Sequence, residues 1–341
     1  MNNSFKDIGI SYEDQIFIVA EAGDNHMGKI EDAIEMCRLA KLAGASCIKF
    51  QHHLPDEEML KDIPMSDNFE EPLYDFLVKN ALKLEDHIKI KDYCQKIGIK
   101  YLCTPFSFKA AVELNSIGVD FFKIGSGEMT DHASLEEISK IGKPIILSTG
   151  MSTLDEIEST YNFMKKQKVE FAFTNCVSEY PPNYEDINLG VIKTLKEKYE
   201  DILIGHSDHS PDIYTCIASV IYKPAIIEKH VILDKRIKGP DQSVSIDFND
   251  LKCLCDGIRK VELASGSIKS VHHREKQIRE WAFRSIVTIK PINKGEKFSK
   301  ENIWTKRPGT GIPSKEFNNI IGKEAENNID ENVLLKWEDV K

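Results

Sequence analysis

The chain has 341 residues, a formal net charge of −10, and 41% hydrophobic and 29% charged residues. That is the composition of a globular protein with room for one large domain and a small one. The acidic balance, with no basic stripe interleaved with aromatics, argues against nucleic-acid binding, which needs a basic excess to displace counterions. No apolar run is long enough to cross a bilayer, and the first residues lack the apolar core of a signal peptide, so a cytoplasmic location is expected.

Taken in order, residues 5–19 read as a short hairpin, two apolar-alternating pieces around Ser11-Tyr12-Glu13-Asp14. A rhythm of β-branched or aromatic run, polar loop and amphipathic helix then begins. Strands are predicted at 16–21, 47–51, 100–104, 121–125, 144–149, 170–176, 202–207 and 226–231. The first helix carries Ile30, Ala33, Ile34, Cys37 and Ala40 on one face. Gly44, Gly98, Gly118 and Gly142 mark helix ends, where the chain often needs the left-handed conformation. Ser134-Leu135-Glu136-Glu137 and Thr153-Leu154-Asp155-Glu156 have capping-box spacing. Eight such units predict an α/β fold, a closed (β/α)8 TIM barrel. The competing doubly wound sheet usually has fewer strands, and no G-x-G-x-x-G follows the first strand here.

An insertion at 55–72 follows the second strand, on the face where barrels carry their sites. The eighth helix is expected over Phe248–Ala264, followed by a charged stretch in which His272 and His273 read as solvated surface. From Trp281 the text turns to short strands and turns. The expected division is a barrel over 1–266, a linker over 267–280 and a small mostly-β domain over 281–341. Cys37, Cys47, Cys94, Cys103, Cys176 and Cys216 lie in apolar patterns and read as small buried hydrophobes, while Cys253 and Cys255 form a lone C-x-C with no second pair.

Barrel active sites are built at the C-terminal strand ends. Those ends offer Glu21, Asn25, His26, Lys49, Gln51, Thr104, Phe106, Lys123, Ser126, Glu128, Ser148, Ser178, Tyr180, Ser207, His209, Glu228 and His230. His209 and His230 close adjacent strands, and two imidazoles on one rim make half of a metal site. A lysine inside a barrel strand needs an anionic partner, and Lys49 and Lys123 are both so placed. Two ammonium groups among hydroxyls suit a phosphate or phosphate–carboxylate ligand. Glu21 and Glu128 are the acid–base candidates. The bland alternative for any single serine or histidine here is a satisfied loop or core group; it is the set that points to a site.

Together these segments resemble the sialic acid synthase (N-acetylneuraminate, nonulosonic acid) family. The matching pieces include Ala20-Glu21-Ala22-Gly23-Asp24-Asn25-His26, Ile48-Lys49-Phe50-Gln51, Thr104-Pro105-Phe106, Ser178-Glu179-Tyr180-Pro181, Gly205-His206-Ser207-Asp208-His209, Glu228-Lys229-His230 and Gly239-Pro240-Asp241. Residues 302–309 look like the antifreeze-like (SAF) domain that ends these enzymes. The resemblance implies a transferase that condenses phosphoenolpyruvate with an N-acetylmannosamine-type sugar. It implies Mn2+ or Mg2+ on His209 and His230. Lys49, Thr104, Lys123, Ser126, Ser148, Ser178, Ser207 and Arg284 would then contact phosphoenolpyruvate. Gln51, Phe106, Tyr180, Asp241 and Arg307 would lie in the substrate site, Arg307 reaching the sugar from the C-terminal domain of a domain-swapped homodimer. Ser178 stands where several members have Asn, and Asp24 and Met27 depart from the commoner first loop. The loop at 56–59 and the Arg-Pro-Gly stretch are shared with N-acetylneuraminate-forming enzymes, Glu179-Tyr180-Pro181 with legionaminic acid synthases; a legionaminate or pseudaminate synthase is therefore the enzymatic alternative. A metal-dependent hydrolase barrel would show H-x-H on the first strand, which here ends Ala20-Glu21-Ala22. A non-catalytic carbohydrate-binding protein would have no use for Lys49, Lys123 and both histidines.

Overall fold

The computed structural model describes residues 4–65 and 71–341, so part of the 55–72 insertion lies outside the described residues. Two units divide the chain, Met1–Ser265 and Gly266–Lys341.

The first unit carries eight parallel strands: β1 (Phe17–Gly23), β2 (Cys47–His52), β3 (Lys100–Pro105), β4 (Phe122–Ile124), β5 (Ile145–Ser148), β6 (Phe171–Cys176), β7 (Leu203–Asp208) and β8 (Ile226–His230). They are ordered β3-β2-β1-β8-β7-β6-β5-β4, a nearly closed TIM-like barrel whose β3–β4 seam has no backbone ladder among the described residues. Helices ring it because each strand must bury both faces. The helix Ile30–Ala43 buries Ala33, Cys37 and Ala40 of the predicted stripe, with Met36 and Ala43 beside them and Ile30 and Ile34 partly buried, and ends at Gly44, whose φ of +96° only glycine adopts without strain. Thr153 forms the expected capping box. Ser134 does not: its helix starts earlier, at His132, because the Asp131 carboxylate accepts from the Ser134 N–H.

The barrel interior changes character along its axis. Alternate residues of a strand share a face, and the lower inward positions are apolar: Phe17 and Val19, Cys47, Leu102, Phe121, Ile146, Ala172 and Ile226. Phe5, Ile8 and Ile10 join this cluster, which corrects the expected hairpin over 5–19. Residues 6–8 form a 3-10 turn instead, and β1 begins at Phe17. The apolar alternation belongs to a segment packed into the barrel core, not to a strand pair. Two positions higher, the same faces carry Glu21, Lys49, Thr104, Lys123, Ser148, Thr174 and Glu228, all buried.

The second unit pairs β9 (Ser285–Thr288) antiparallel with β10 (Ile303–Lys306) over a core of its own that includes Ile286, Phe298, Ile303 and Leu335. The stretch expected as a linker, 267–280, is partly helical. Residues His273–Ala282 form a helix within this unit, closed at its start by the reciprocal cap of His272 and Glu275. His272 and His273 are exposed, as their charged surroundings suggested.

Gly205 of β7 leaves no room for a side chain: an added Cβ would sit 2.8 Å from the Ile226 carbonyl oxygen and 2.9 Å from Thr174 Cγ2. Gly205→Ala is expected to destabilise the barrel by about 1–3 kcal/mol, read from urea unfolding midpoints at unchanged slope.

Candidate active site

The upper barrel opens into a cavity of about 360 Å³, and every residue of the first unit given a catalytic, metal or substrate role above lines it, whereas Asn25 and His26 of the predicted rim do not. Arg284 and Arg307 belong to the second unit. There Arg307 donates through Nε to the Ala282 carbonyl at 3.1 Å and lies over the Trp281 ring, and Arg284 lies 3.5 Å from the Thr305 carbonyl.

At the cavity floor the lysines are already partnered. Lys49 Nζ lies 3.0 Å from Glu21 Oε2 and donates to Thr104 Oγ1 at 3.1 Å. Lys123 Nζ donates to Ser148 Oγ at 2.6 Å. Between them sits Glu228, its Oε1 3.7 Å from Lys49, 3.6 Å from Lys123 and accepting from Ser207 Oγ at 2.9 Å. Burial alone would raise the Glu228 pKa, but Lys123 and Lys49 outweigh it and hold the carboxyl at about 2. Burial works against the charge of Lys49 too, and Glu21 and Glu228 more than compensate, raising its pKa. Lys123, with less carboxylate around it, is lowered by burial. The strand-end position of Glu228 assigns it no role from the sequence; its signal there is parity with His230, two residues on in β8.

The rim on the β6–β8 side carries the imidazoles. His209 and His230 ring centroids are 5.2 Å apart, and Tyr180 stacks on His209 at 4.3 Å. His209 Nδ1 donates to the Val177 carbonyl at 2.7 Å, which leaves Nε2 as the ring's lone-pair donor. Asp241 Oδ2 lies 3.3 Å from His230 Nδ1, off the hydrogen-bonding direction, so that buried nitrogen has no hydrogen-bond partner. Gly23 admits this carboxylate, since a Cβ there would meet Asp241 Oδ2 at 2.5 Å. Among the described residues no group of three or more His, Cys, Asp and Glu side chains could enclose a metal ion. Two imidazoles side by side, one with an unpartnered nitrogen, fit an ion that takes its remaining ligands from substrate and water oxygens.

Behind this rim, on the outward face, lies a second element missed in the sequence. Lys229 is fully buried and donates to Asp208 Oδ1, its register partner across β7–β8, at 2.7 Å, and to the Ser210 carbonyl. Asp208 also accepts from Thr215 Oγ1 at 2.6 Å and faces His206 Nε2 at 3.1 Å. Because strand neighbours alternate faces, this network fixes the two strand ends that aim His209 and His230 inward. Asn25, on the predicted rim, is structural: it donates to the Val231 carbonyl and Ser245 Oγ, both at 2.9 Å.

On the β1–β4 side stand Asp24, His53, Phe106 and Glu128. Burial raises the Glu128 pKa and lifts that of Asp24 to about 6. Gln51 joins the two sides, donating to Glu21 Oε1 at 2.9 Å while its Oε1 faces His53 Nε2 at 3.0 Å.

Residues 36–270 match the NeuB family model, and residues 283–341 match the SAF domain. The chain is 34% identical to the N,N'-diacetyllegionaminic acid synthase of Campylobacter jejuni subsp. jejuni, over 94% of this chain and 98% of that one. It is 32% identical to the N-acetylneuraminate-9-phosphate synthase of Mus musculus, over 95% and 92%. The structure superposes on the N-acetylneuraminic acid (sialic acid) synthetase of Leptospira borgpetersenii with a TM-score of 0.70 at 32% identity, covering 78% of this chain and 90% of that one.

Glu228→Gln is expected to cost roughly 3 kcal/mol at pH 7, because it leaves two buried ammonium groups without their shared carboxylate. The Glu228 contribution is fully present above its ordinary pKa of 4.5 and is lost as pH falls towards about 2. Urea unfolding across that window should therefore fall more steeply for the wild type than for Glu228→Gln.

Proposed function

The chain belongs to the NeuB family, and on that premise we propose that it condenses phosphoenolpyruvate with an open-chain N-acetylmannosamine-type sugar, giving N-acetylneuraminate and phosphate. The observation that carries this reading is the two-sided cavity: ammonium and hydroxyl groups at its floor, and a pair of imidazoles with Asp241 and Tyr180 on its wall.

At the floor, Lys49 and Lys123 with the hydroxyls of Thr104, Ser126, Ser148, Ser178 and Ser207 offer donors to the phosphate and carboxylate oxygens of phosphoenolpyruvate. His209 and His230 would hold a divalent metal, Mn2+ or Mg2+, which when bound polarises the sugar aldehyde as a Lewis acid. Carbon 3 of phosphoenolpyruvate then forms the new bond to the aldehyde carbon, whose oxygen takes up a proton and becomes a hydroxyl. The positive centre left at carbon 2 is captured by water. Glu21 or Glu128 accepts the water proton, and burial, which raises the Glu128 pKa, makes Glu128 a stronger base than an ordinary carboxylate. The carbon 2–oxygen bond to phosphate breaks, the carbon 2 hydroxyl gives its remaining proton to the departing phosphate and becomes the ketone oxygen, and the lysines stabilise the departing charge. Tyr180, Asp241 and Gln51 orient the sugar. An acceptor of the 2,4-diacetamido-2,4,6-trideoxyhexose type, giving a legionaminic or pseudaminic acid, is the second reading, favoured by Glu179-Tyr180-Pro181 and by the identity to the Campylobacter synthase.

Phosphate release from phosphoenolpyruvate is expected only when Mn2+ and an acylated sugar are both supplied; release without sugar would overturn the reading. A panel of mannosamine-type and diacetamido sugars in the same assay selects between the two acceptors. His209→Ala is expected to abolish both this turnover and Mn2+ binding by calorimetry, with the thermal unfolding transition retained.

A further inference from the structure

One chain of hydrogen bonds runs from the insertion after β2 to the cavity floor, and its two ends fix the protons in between. At the floor, Gln51 Nε2 donates to Glu21 Oε1 at 2.9 Å, and Glu21 Oε2 lies 3.0 Å from Lys49 Nζ. A carboxylate only accepts, so the Gln51 amide turns its Nε2 to Glu21 and its Oε1, an acceptor, to His53 Nε2 at 3.0 Å. At the other end, Glu58 of the short helix Pro55–Glu58 sets both carboxylate oxygens 3.0 and 3.1 Å from His53 Nδ1. Asp24 Oδ2 lies 3.5 Å from His53 Nε2 as well. Both ring nitrogens therefore face oxygens that can only accept.

A neutral imidazole carries one N–H and one lone pair. Either neutral form of His53 would aim that lone pair at Gln51 and Asp24 or at Glu58, at a residue only 6% exposed. An unmatched buried contact of this kind costs about 1–3 kcal/mol. The imidazolium, with two N–H groups, satisfies both ends. The charges around it agree. Burial works against a charged His53, and Asp24, Glu58 and Glu128 outweigh it and raise its pKa. The other imidazoles near it, His26 beyond β1, His52 on β2 and His87 of the helix Leu84–Ile97, are pushed down by burial and stay uncharged at neutral pH. The Phe106 ring stacks on the His53 ring at 4.3 Å and fixes its plane.

We propose that His53 is a positioning residue, a doubly protonated ring that ties the insertion to the cavity floor and, through Gln51, holds Glu21 against Lys49. Its action is indirect. With the His53 Nε2–H on the Gln51 oxygen, the amide cannot turn over, its Nε2 stays on Glu21 Oε1, and Glu21 Oε2 stays toward Lys49. Loss of either ring proton opens the chain, at Glu58 or at Gln51, and loosens Glu21 beside the phosphoenolpyruvate donors. The protonation state stands on this geometry alone, whereas its effect on turnover rests on the condensation proposed above. The sign follows from the raised His53 pKa: the chain is complete below that pKa and is lost as pH rises through it.

The test reads the ring and the reaction separately in the full-length protein. Nitrogen-15 NMR, with the side-chain signals assigned by their loss from His53→Gln and Gln51→Leu, is expected to show both His53 ring nitrogens protonated at pH 7. A neutral His53 at that pH overturns the proposal whatever the protein catalyses. Glu58→Gln keeps an acceptor for Nδ1 and removes a charge that favours the imidazolium, so the His53 titration is expected to move down by about 1 pH unit. The Gln51 amide signal is expected to shift at the ring's own midpoint in both proteins; an amide that does not follow the ring overturns the positioning role. In the Mn2+ and phosphoenolpyruvate assay, the alkaline limb of kcat/KM is expected to move with that midpoint. In a folded His53→Gln it is expected to vanish, with kcat lowered about 10-fold. A limb that stays in place in Glu58→Gln while the ring titration moves overturns the role in turnover. Phosphate release with no sugar of the panel, while the amide still follows the ring, overturns the reaction and supports the positioning residue.

Discussion

Two lysines keep their place inside the barrel because carboxylates meet them there. Glu228 touches both ammonium groups and Glu21 holds Lys49, so the floor of the cavity is close to neutral in the protein by itself. These side chains are buried, and an ion pair with one partner missing there would be costly. The same arrangement is a receptor in waiting. The phosphate and carboxylate of the proposed substrate would find donors that are already desolvated and oriented, with their spacing fixed by the Glu228 carboxylate.

The barrel divides its interior by height and its mouth by side. Apolar residues from the strands and from residues 5–10 fill the lower layers, which leaves the upper layer as the only depth at which polar inward positions can meet a ligand. At the mouth the β6–β8 side carries imidazoles and an aromatic ring, and the β1–β4 side carries carboxylates around one histidine. An asymmetric mouth of this kind orients a chain-like ligand, one end drawn to nitrogen donors and the other to oxygen acceptors.

The Lys229–Asp208 pair illustrates how the outward face supports the inward one. It makes no contact with the cavity, yet it ties the register of β7 to β8 one residue below His209 and His230. A slip of either strand by one residue in that register would turn its imidazole out of the site and part the pair.

The sequence by itself determined the barrel and most of the cavity lining, because strand periodicity is local. A polar residue at the end of an apolar run must face the mouth, which is why Lys49, Lys123, His209 and His230 could be read from the text. Helix stops at Gly44 and the cap at Thr153 are equally local. Only the tertiary structure decided which groups neutralise one another across strands. Glu228 serving both lysines, Lys229 reaching Asp208, and His53 held by Glu58 depend on distances between residues 5 to 179 positions apart, which no spacing rule reports. The same holds for residues 5–10: their alternation is real, but their partners lie at the bottom of the barrel and not along a neighbouring strand. Periodicity fixes which way a side chain faces, and only the closed barrel fixes what it faces.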